Sequence, residues 1–496
     1  MSPADSTDRA AMLPQGMFVD NALVACSGKA QFAHVNPATG RAQRTITFAS
    51  PGDVESALAS SARAFETWKR TTPLQRRELL QAIAKALRED AEELAAINAL
   101  EVGTPLGFGR WAVSDAAAWF DYYAGWTDKI TGETIPVPQS DGFNFTVREP
   151  VGVVVKILTW NTPIGGISMA VPAALAAGCT VILKPAEQAP FAAVRFAKLC
   201  ADAGLPPGVV NVVVGDATAG DILVRDRRVA KISFTGGPAT ARKLQAAAAD
   251  NLTPLVLELG GKSANIIFAD ADLAAAAQFS TVITALSGQG CSLPSRLLVQ
   301  RPVYERVIDM VVKHLAAIPI GDPFADGVAM GPVINAAACE RILKLISAAV
   351  ESGAAKCAHG GNRLGGPLAG GFFVAPTLLR DVAPDSPAAQ DEIFGPVVSV
   401  IPFDDEAEAL RIANGTRYGL AAYVHTTNLD RALRMCRELR SGGVGVNGKM
   451  LPASYATPFG GVGLSGYGRE GGREGIDEFL QVKNLAIRFN GAGVGA

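Results

Sequence analysis

The sequence predicts an α/β protein built on doubly wound parallel sheets. From residue 150 onward, short aliphatic runs alternate with helix-like stretches. That order gives parallel strands joined by crossover helices. The preceding segment, 52–104, instead repeats apolar residues at three- and four-residue spacing, the period of amphipathic helices. With 496 residues, the chain is too long for one hydrophobic core, so two or three domains are expected.

Within 52–104, Asp53-Val54-Glu55-Ser56-Ala57-Leu58 and Pro73-Leu74-Gln75-Arg76-Arg77-Glu78-Leu79-Leu80 carry the helical pattern. Residues 151–158, apolar except for Lys156, predict a mostly buried parallel strand, and an alanine-rich helix follows. Residues 157–183 contain no charge and are long enough to span a bilayer. Asn161, Pro163, Gly165, Gly166, Pro172 and Gly178 interrupt them, which fits a buried strand–helix–strand better than a membrane helix. Strands are expected at 180–183, 209–214 and 231–234, with helices at 190–203 and 217–225. A second α/β region is expected from near Glu258, with strands at 264–268, 296–300 and 397–402 and a helix at 303–317. Residues 482–489 predict a late strand, and 143–147 are its candidate counterpart before the first sheet.

Net charge of −2 leaves no broad basic surface, so nucleic acid is not an expected partner. Seven cysteines are scattered without a CxxC pair, against a disulfide framework or structural zinc and in keeping with a reducing cytoplasm. Four scattered histidines suggest no metal site. The polar N-terminus, with both charge signs, shows no signal peptide.

Chemistry concentrates in a few segments. Cys291 lies in Gly288-Gln289-Gly290-Cys291-Ser292-Leu293-Pro294-Ser295-Arg296, and Glu258 opens Glu258-Leu259-Gly260-Gly261-Lys262. A cysteine in a glycine-rich turn and a glutamate beside a Gly-Gly pair can supply a nucleophile and a general base. The other six cysteines read as small buried hydrophobes. Thr235-Gly236-Gly237-Pro238, at a strand end before a helix, suits a phosphate because free backbone N–H groups and the helix dipole favour an anion. Lys184 and Glu187 follow the second strand, where a carboxylate can accept hydrogen bonds from ribose hydroxyls and repel a 2′-phosphate.

Taken with Trp160-Asn161, Lys184-Pro185-Ala186-Glu187 and Glu392-Ile393-Phe394-Gly395-Pro396, these segments resemble the NAD(P)-dependent aldehyde dehydrogenase superfamily. The resemblance runs in order from about Asn36 to about Phe489. It implies a Rossmann-like NAD-binding domain (1–130 and 150–256), a second α/β catalytic domain (257–450), and a small β oligomerisation arm with a C-terminal segment (131–149 and 451–496). It implies Cys291 as nucleophile, Glu258 as the base for thioester hydrolysis, and Asn161 with the Cys291 backbone N–H as the oxyanion pocket. Asn161 could alternatively cap the helix beginning near Pro163. Glu470 resembles a second glutamate of the family that relays protons, and a structural ion pair is an equal alternative.

The implied NAD site comprises Leu158, Thr159, Trp160, Lys184, Glu187, Gly215, Phe234, Thr235, Gly236, Gly237, Leu259, Glu392 and Phe394. Family members usually have serine where Gly237 stands and glycine where Ala241 stands. The implied substrate pocket comprises Thr162, Gly165, Gly166, Met169, Gly290, Ser292, Ala453, Tyr455 and Phe459. Small residues at its first positions suggest a wide pocket for a bulky apolar or aromatic aldehyde. Met169, where some relatives that take carboxylate-bearing aldehydes present arginine, weighs against succinic semialdehyde. A coenzyme A-acylating enzyme and a non-catalytic protein on this fold are the rivals, and Glu258 with Cys291 and Asn161 argues against both. A homodimer or homotetramer, with no membrane partner, is the expected state.

Overall fold

The computed structural model describes residues 9–138 and 142–488. Residue 489 of the expected late strand and residues 1–8 of the N-terminal reading lie outside the described residues.

The 52–104 segment folds as Pro51–Trp68, Pro73–Glu89 and Ala91–Val102. Each of the first two begins with a capping box, Ser50 with Asp53 and Thr72 with Gln75, followed by proline at the first helical position. The uncharged 157–183 stretch is indeed strand, helix and strand. Val153–Ile157 and Thr180–Lys184 are buried at every position and flank the Pro163–Ala177 helix. Among the described residues no helix is long and apolar enough to cross a membrane.

The first sheet has eight strands, in the order Gly466–Tyr467, Leu255–Glu258, Val229–Thr235, Val153–Ile157, Thr180–Lys184, Val210–Val212, Met17–Val19 and Ala22–Val24. The five from Leu255–Glu258 to Val210–Val212 run parallel. From Val153–Ile157 the chain winds outward through 180 and 210. It then crosses to the other side through 229 and 255. Strand order therefore reverses beside Val153–Ile157, and the crevice beyond the carboxyl ends there is where such sheets bind ligands. The second sheet has seven strands, ordered Lys356–His359, Thr377–Arg380, Val397–Phe403, Arg296–Gln300, Ala264–Ile267, Ala421–His425 and Gly443–Val446. Outside both, Leu480–Arg488 pairs antiparallel with Gly142–Pro150, which also pairs with Thr134–Ile135.

Two boundaries differ from expectation. Leu255–Glu258 belongs to the first sheet, with Thr235 opposite Glu258, so the boundary at 257 falls inside a strand. Four residues after a proline carry too little pattern to be read as a strand. Gly466–Tyr467, in the span expected for the arm and C-terminal segment, pairs with that same strand. This long-range pairing leaves no local signal.

Candidate active site

The turn that presents Cys291 is built from unusual backbone. Leu286 and Ser287 take φ of 50° and 55°, and Gly288 takes 75°. Left-handed conformations cost non-glycine residues energy and persist where surrounding contacts enforce them. Gly288 packs directly on the Gly395 carbonyl, where any Cβ would collide with backbone. The Cys291 turn is thereby seated on the Glu392–Pro396 segment. Gln289 braces it: its Nε2 donates to Leu286 O at 3.0 Å and its Oε1 accepts from Ile334 N at 2.9 Å. Asn161 Nδ2 donates to Gln289 O at 2.7 Å, and Tyr423 Oη donates to Ser292 O at 2.9 Å. Asn161 does not cap the following helix, whose N-cap is Thr162 with no side-chain bond. Its Oδ1 is buried without a partner.

Cys291 itself remains partly exposed. Enclosure of its thiol still pushes the pKa up to about 12, chiefly by burial, then by the charges of Glu258 and Glu392. Glu258 ends its strand 3% exposed, and neither carboxylate oxygen has a hydrogen-bond partner. Burial, then the nearby charge of Glu470, hold its pKa well above the usual carboxylate range, while Lys156 and Arg469 oppose them. Gly460, with φ of 152°, allows this approach, since a Cβ there would stand 2.6 Å from Glu258 Oε1. Such a carboxyl is an acid–base group without a structural partner, beside a cysteine that feels its charge.

Behind it lies a buried cation. Lys156 Nζ donates to Glu470 Oε1 at 2.6 Å, Thr235 Oγ1 at 3.0 Å and Ser233 Oγ at 3.1 Å. Of the two readings of Glu470, the ion pair is present. Glu470 and Phe459 also exchange backbone hydrogen bonds of 2.6 and 2.8 Å, which anchors Phe459, expected in the substrate pocket, to this pair.

Most of the expected cofactor residues lie at or just past the carboxyl ends of the first sheet's parallel strands, while Glu392 and Phe394 precede the Val397–Phe403 strand of the second. Leu158 N donates to Lys184 O at 3.0 Å, joining two strand ends, and Phe234 is buried beneath. Gly237 opens the Pro238–Ala248 helix with no side-chain cap, leaving the helix N-terminus without an internal anion. A Cβ at Gly237 would meet nothing within 4 Å, so the serine usual in the family would fit sterically. Ala241 is buried in the same helix. Gly215 is required for packing, since a Cβ would sit 2.6 Å from Ala219 Cβ. Lys184 Nζ pairs with Glu187 Oε1 at 3.2 Å. Glu392 Oε1 accepts from Gly261 N at 2.9 Å, and Phe394, at φ 51°, meets the edge of Trp160 with centroids 5.4 Å apart. An open helix N-terminus, the Glu187 carboxylate just past a strand's carboxyl end and the Trp160–Phe394 pair have the chemistry to fit a dinucleotide. Leu259 lies buried next to Glu258, and Thr159 is half-buried next to Trp160.

Thr162, Gly165, Gly166 and Met169 form a half-buried stripe on an otherwise buried helix. Their three- and four-residue spacing puts them on one face. The glycines free less volume than their number suggests. A Cβ at Gly165 would meet Thr162 Cβ at 3.2 Å, one at Gly166 would meet Leu158 Cδ2 at 3.1 Å, and one at Gly290 would meet Leu293 Cγ at 2.8 Å. Ala453 is exposed. The Tyr455 hydroxyl is committed to Asp115 at 3.0 Å, with its ring edge-on to Trp119.

Sequence reasoning missed Tyr423, Gly460 and the bracing role of Gln289. Only Lys156 left a trace, as the lone charge in an apolar strand. The described residues contain no cluster of His, Cys, Asp or Glu able to hold a metal, and all seven cysteines are free.

An unpartnered buried carboxyl at a strand end of a doubly wound sheet, whose charge reaches a partly exposed cysteine, suits the dehydrogenase class of oxidoreductase. The sequence profile of the aldehyde dehydrogenase family matches residues 24–485, and the chain belongs to that family. An aldehyde dehydrogenase of Emericella nidulans is 38% identical over 97% of this chain and 96% of its own. The mitochondrial succinate-semialdehyde dehydrogenase of Arabidopsis thaliana is 39% identical over 91% of this chain and 85% of its own. A crystal structure of betaine aldehyde dehydrogenase from Staphylococcus aureus in complex with NAD+ superposes with a TM-score of 0.94. It is 34% identical and covers 99% of this chain and 98% of that one.

Proposed function

We propose that this protein is an NAD-dependent aldehyde dehydrogenase that converts a bulky apolar or aromatic aldehyde to its carboxylic acid. The observation that carries the chemistry is Glu258, buried without a hydrogen-bond partner and electrostatically coupled to Cys291.

The Cys291 thiol gives its proton to solvent water, and the sulfur forms a bond to the aldehyde carbon as the carbonyl π bond breaks. The carbonyl oxygen becomes the oxyanion of a thiohemiacetal. The Asn161 amide has two N–H groups and spends one on Gln289 O, so the other, with the Cys291 N–H, can hold that oxyanion. NAD, when bound, accepts the hydride that leaves the thiohemiacetal carbon, and a thioester remains on Cys291. Glu258 takes a proton from water as the water oxygen attacks the thioester, and the C–S bond breaks to release the acid and the thiolate. Its raised pKa makes Glu258 a stronger base than an ordinary carboxylate.

The half-buried stripe at Thr162, Gly165, Gly166 and Met169 supports an apolar substrate body, and no cation is among the pocket residues to pair with a substrate carboxylate. Glu258 argues for hydrolysis over transfer to coenzyme A. The paired strands Gly142–Pro150 and Leu480–Arg488 support assembly as a homodimer or homotetramer, and seven unpaired cysteines support residence in the cytoplasm.

The deciding experiment is NADH formation from an aldehyde without coenzyme A, with identification of the acid. Cys291→Ala should abolish it and keep NAD affinity. A product that forms only with coenzyme A, or turnover retained in Cys291→Ala, would sink the proposal.

A further inference from the structure

His34 lies outside both large sheets, on the strand Gln31–Asn36, which among the described residues pairs only with Arg41–Thr47. It is nevertheless 1% exposed. The network around it fixes the orientation of every group. Asn36 Nδ2 donates to Gln43 Oε1 at 3.2 Å, and Gln43 Nε2 donates to Leu100 O at 2.7 Å. Gln43 Nε2 also lies 3.1 Å from His34 Nδ1. An amide nitrogen can only donate, so Nδ1 accepts and the ring proton is on Nε2. Nε2 therefore donates to Gln188 O at 2.9 Å. The ring also stands edge-on to Phe191, centroids 4.9 Å apart. Burial lowers the imidazole pKa to about 4, so this neutral donor persists at ordinary pH.

A second fastening lies one residue beyond Leu100. Glu101, fully buried, accepts the N–H groups of Phe191 and Ala192 that open the Phe191–Asp202 helix. The loop after Lys184 is thus tied at Gln188 and again at Phe191. Ala189 N donates to Ala186 O at 3.0 Å and closes the turn between. Glu187 sits inside that turn, next to the carbonyl that His34 holds.

We infer that His34 is a positioning residue for Glu187 and so for the choice between NAD and NADP, acting through its hydrogen bond to the Gln188 carbonyl. This rests on the reading of Glu187 as the carboxylate that meets the adenosine ribose. The lock joins a peripheral hairpin to the cofactor cleft, so cofactor choice depends on a residue that touches no cofactor.

The test compares Glu187→Gln, His34→Leu and His34→Gln in the full-length enzyme, measuring kcat and KM with NAD and with NADP. Glu187→Gln should narrow the preference for NAD. His34→Leu leaves the half-buried Gln188 carbonyl without this donor and should raise the KM for NAD about tenfold, which corresponds to about 1.4 kcal/mol. It should narrow the NAD/NADP ratio in the same direction while kcat at saturating NAD stays within about twofold. His34→Gln can place an N–H near the same carbonyl and should recover most of the loss. Gln43→Leu, which removes the donor that fixes the tautomer, serves if His34→Leu does not fold and should shift the ratio the same way. An altered ratio in Glu187→Gln with unchanged ratios in the folded His34 and Gln43 variants would overturn the role of His34. An unchanged ratio in Glu187→Gln itself would instead overturn the reading of Glu187 and, with it, this inference.

Discussion

Replacing Glu258 with glutamine separates the two halves of the proposed cycle. Neither carboxylate oxygen makes a hydrogen bond, so the near-isosteric amide breaks no existing bond. General-base assistance contributes about 10²–10⁴ in rate, or about 3–5 kcal/mol of barrier. Steady turnover should therefore fall by about 10²–10⁴. The first hydride transfer should survive. The Glu258 charge, after burial, is the next cause that holds the Cys291 thiol up near 12, so its removal makes the thiol more acidic. Rapid mixing should show a burst of NADH equal to the site concentration, followed by a stalled thioester. The pH dependence follows the same signs. Wild-type turnover should climb as pH rises through the raised pKa of Glu258, because only the ionised form accepts a proton. The variant should lose that limb, and its burst should reach full rate at a lower pH than the wild type. A steady rate within about tenfold of wild type would remove Glu258 as the hydrolytic base, given the usual size of base catalysis. A vanished burst would show that Glu258 activates the thiol rather than raising its pKa.

Lys156→Met should leave Glu470 as an uncompensated buried charge and cost about 3–5 kcal/mol of stability, read as a lower denaturation midpoint. It should also move the turnover limb to higher pH, since Lys156 opposes the raised pKa of Glu258, and an unmoved limb would separate the two groups. Gly165→Leu, on the half-buried stripe, should cut kcat/KM for benzaldehyde and hexanal while sparing acetaldehyde. Each buried methylene is worth up to about 0.8 kcal/mol, so a wild type that prefers acetaldehyde or succinic semialdehyde would refute the bulky apolar pocket.

The sequence by itself determined the alternation of strands and helices, because burial on both faces of a parallel sheet demands continuous apolar runs, as at Val153–Ile157 and Thr180–Lys184. It also offered Cys291, Glu258 and Asn161 as candidates, because their segments resemble those of a known family. Short or edge elements escaped it. Leu255–Glu258 and Gly466–Tyr467 are strands only because they pair with each other and with the sheet. Only the tertiary structure decided which side chains share an environment. Gly460 meets Glu258, Tyr423 holds Ser292, and Lys156 reaches Glu470 across 314 positions of sequence. The same holds for volume: the pocket glycines read as open space, yet Thr162, Leu158 and Leu293 stand against three of them. The physical reason is that close packing and buried charge pairing are properties of neighbours in space, and a one-dimensional pattern records only neighbours along the chain.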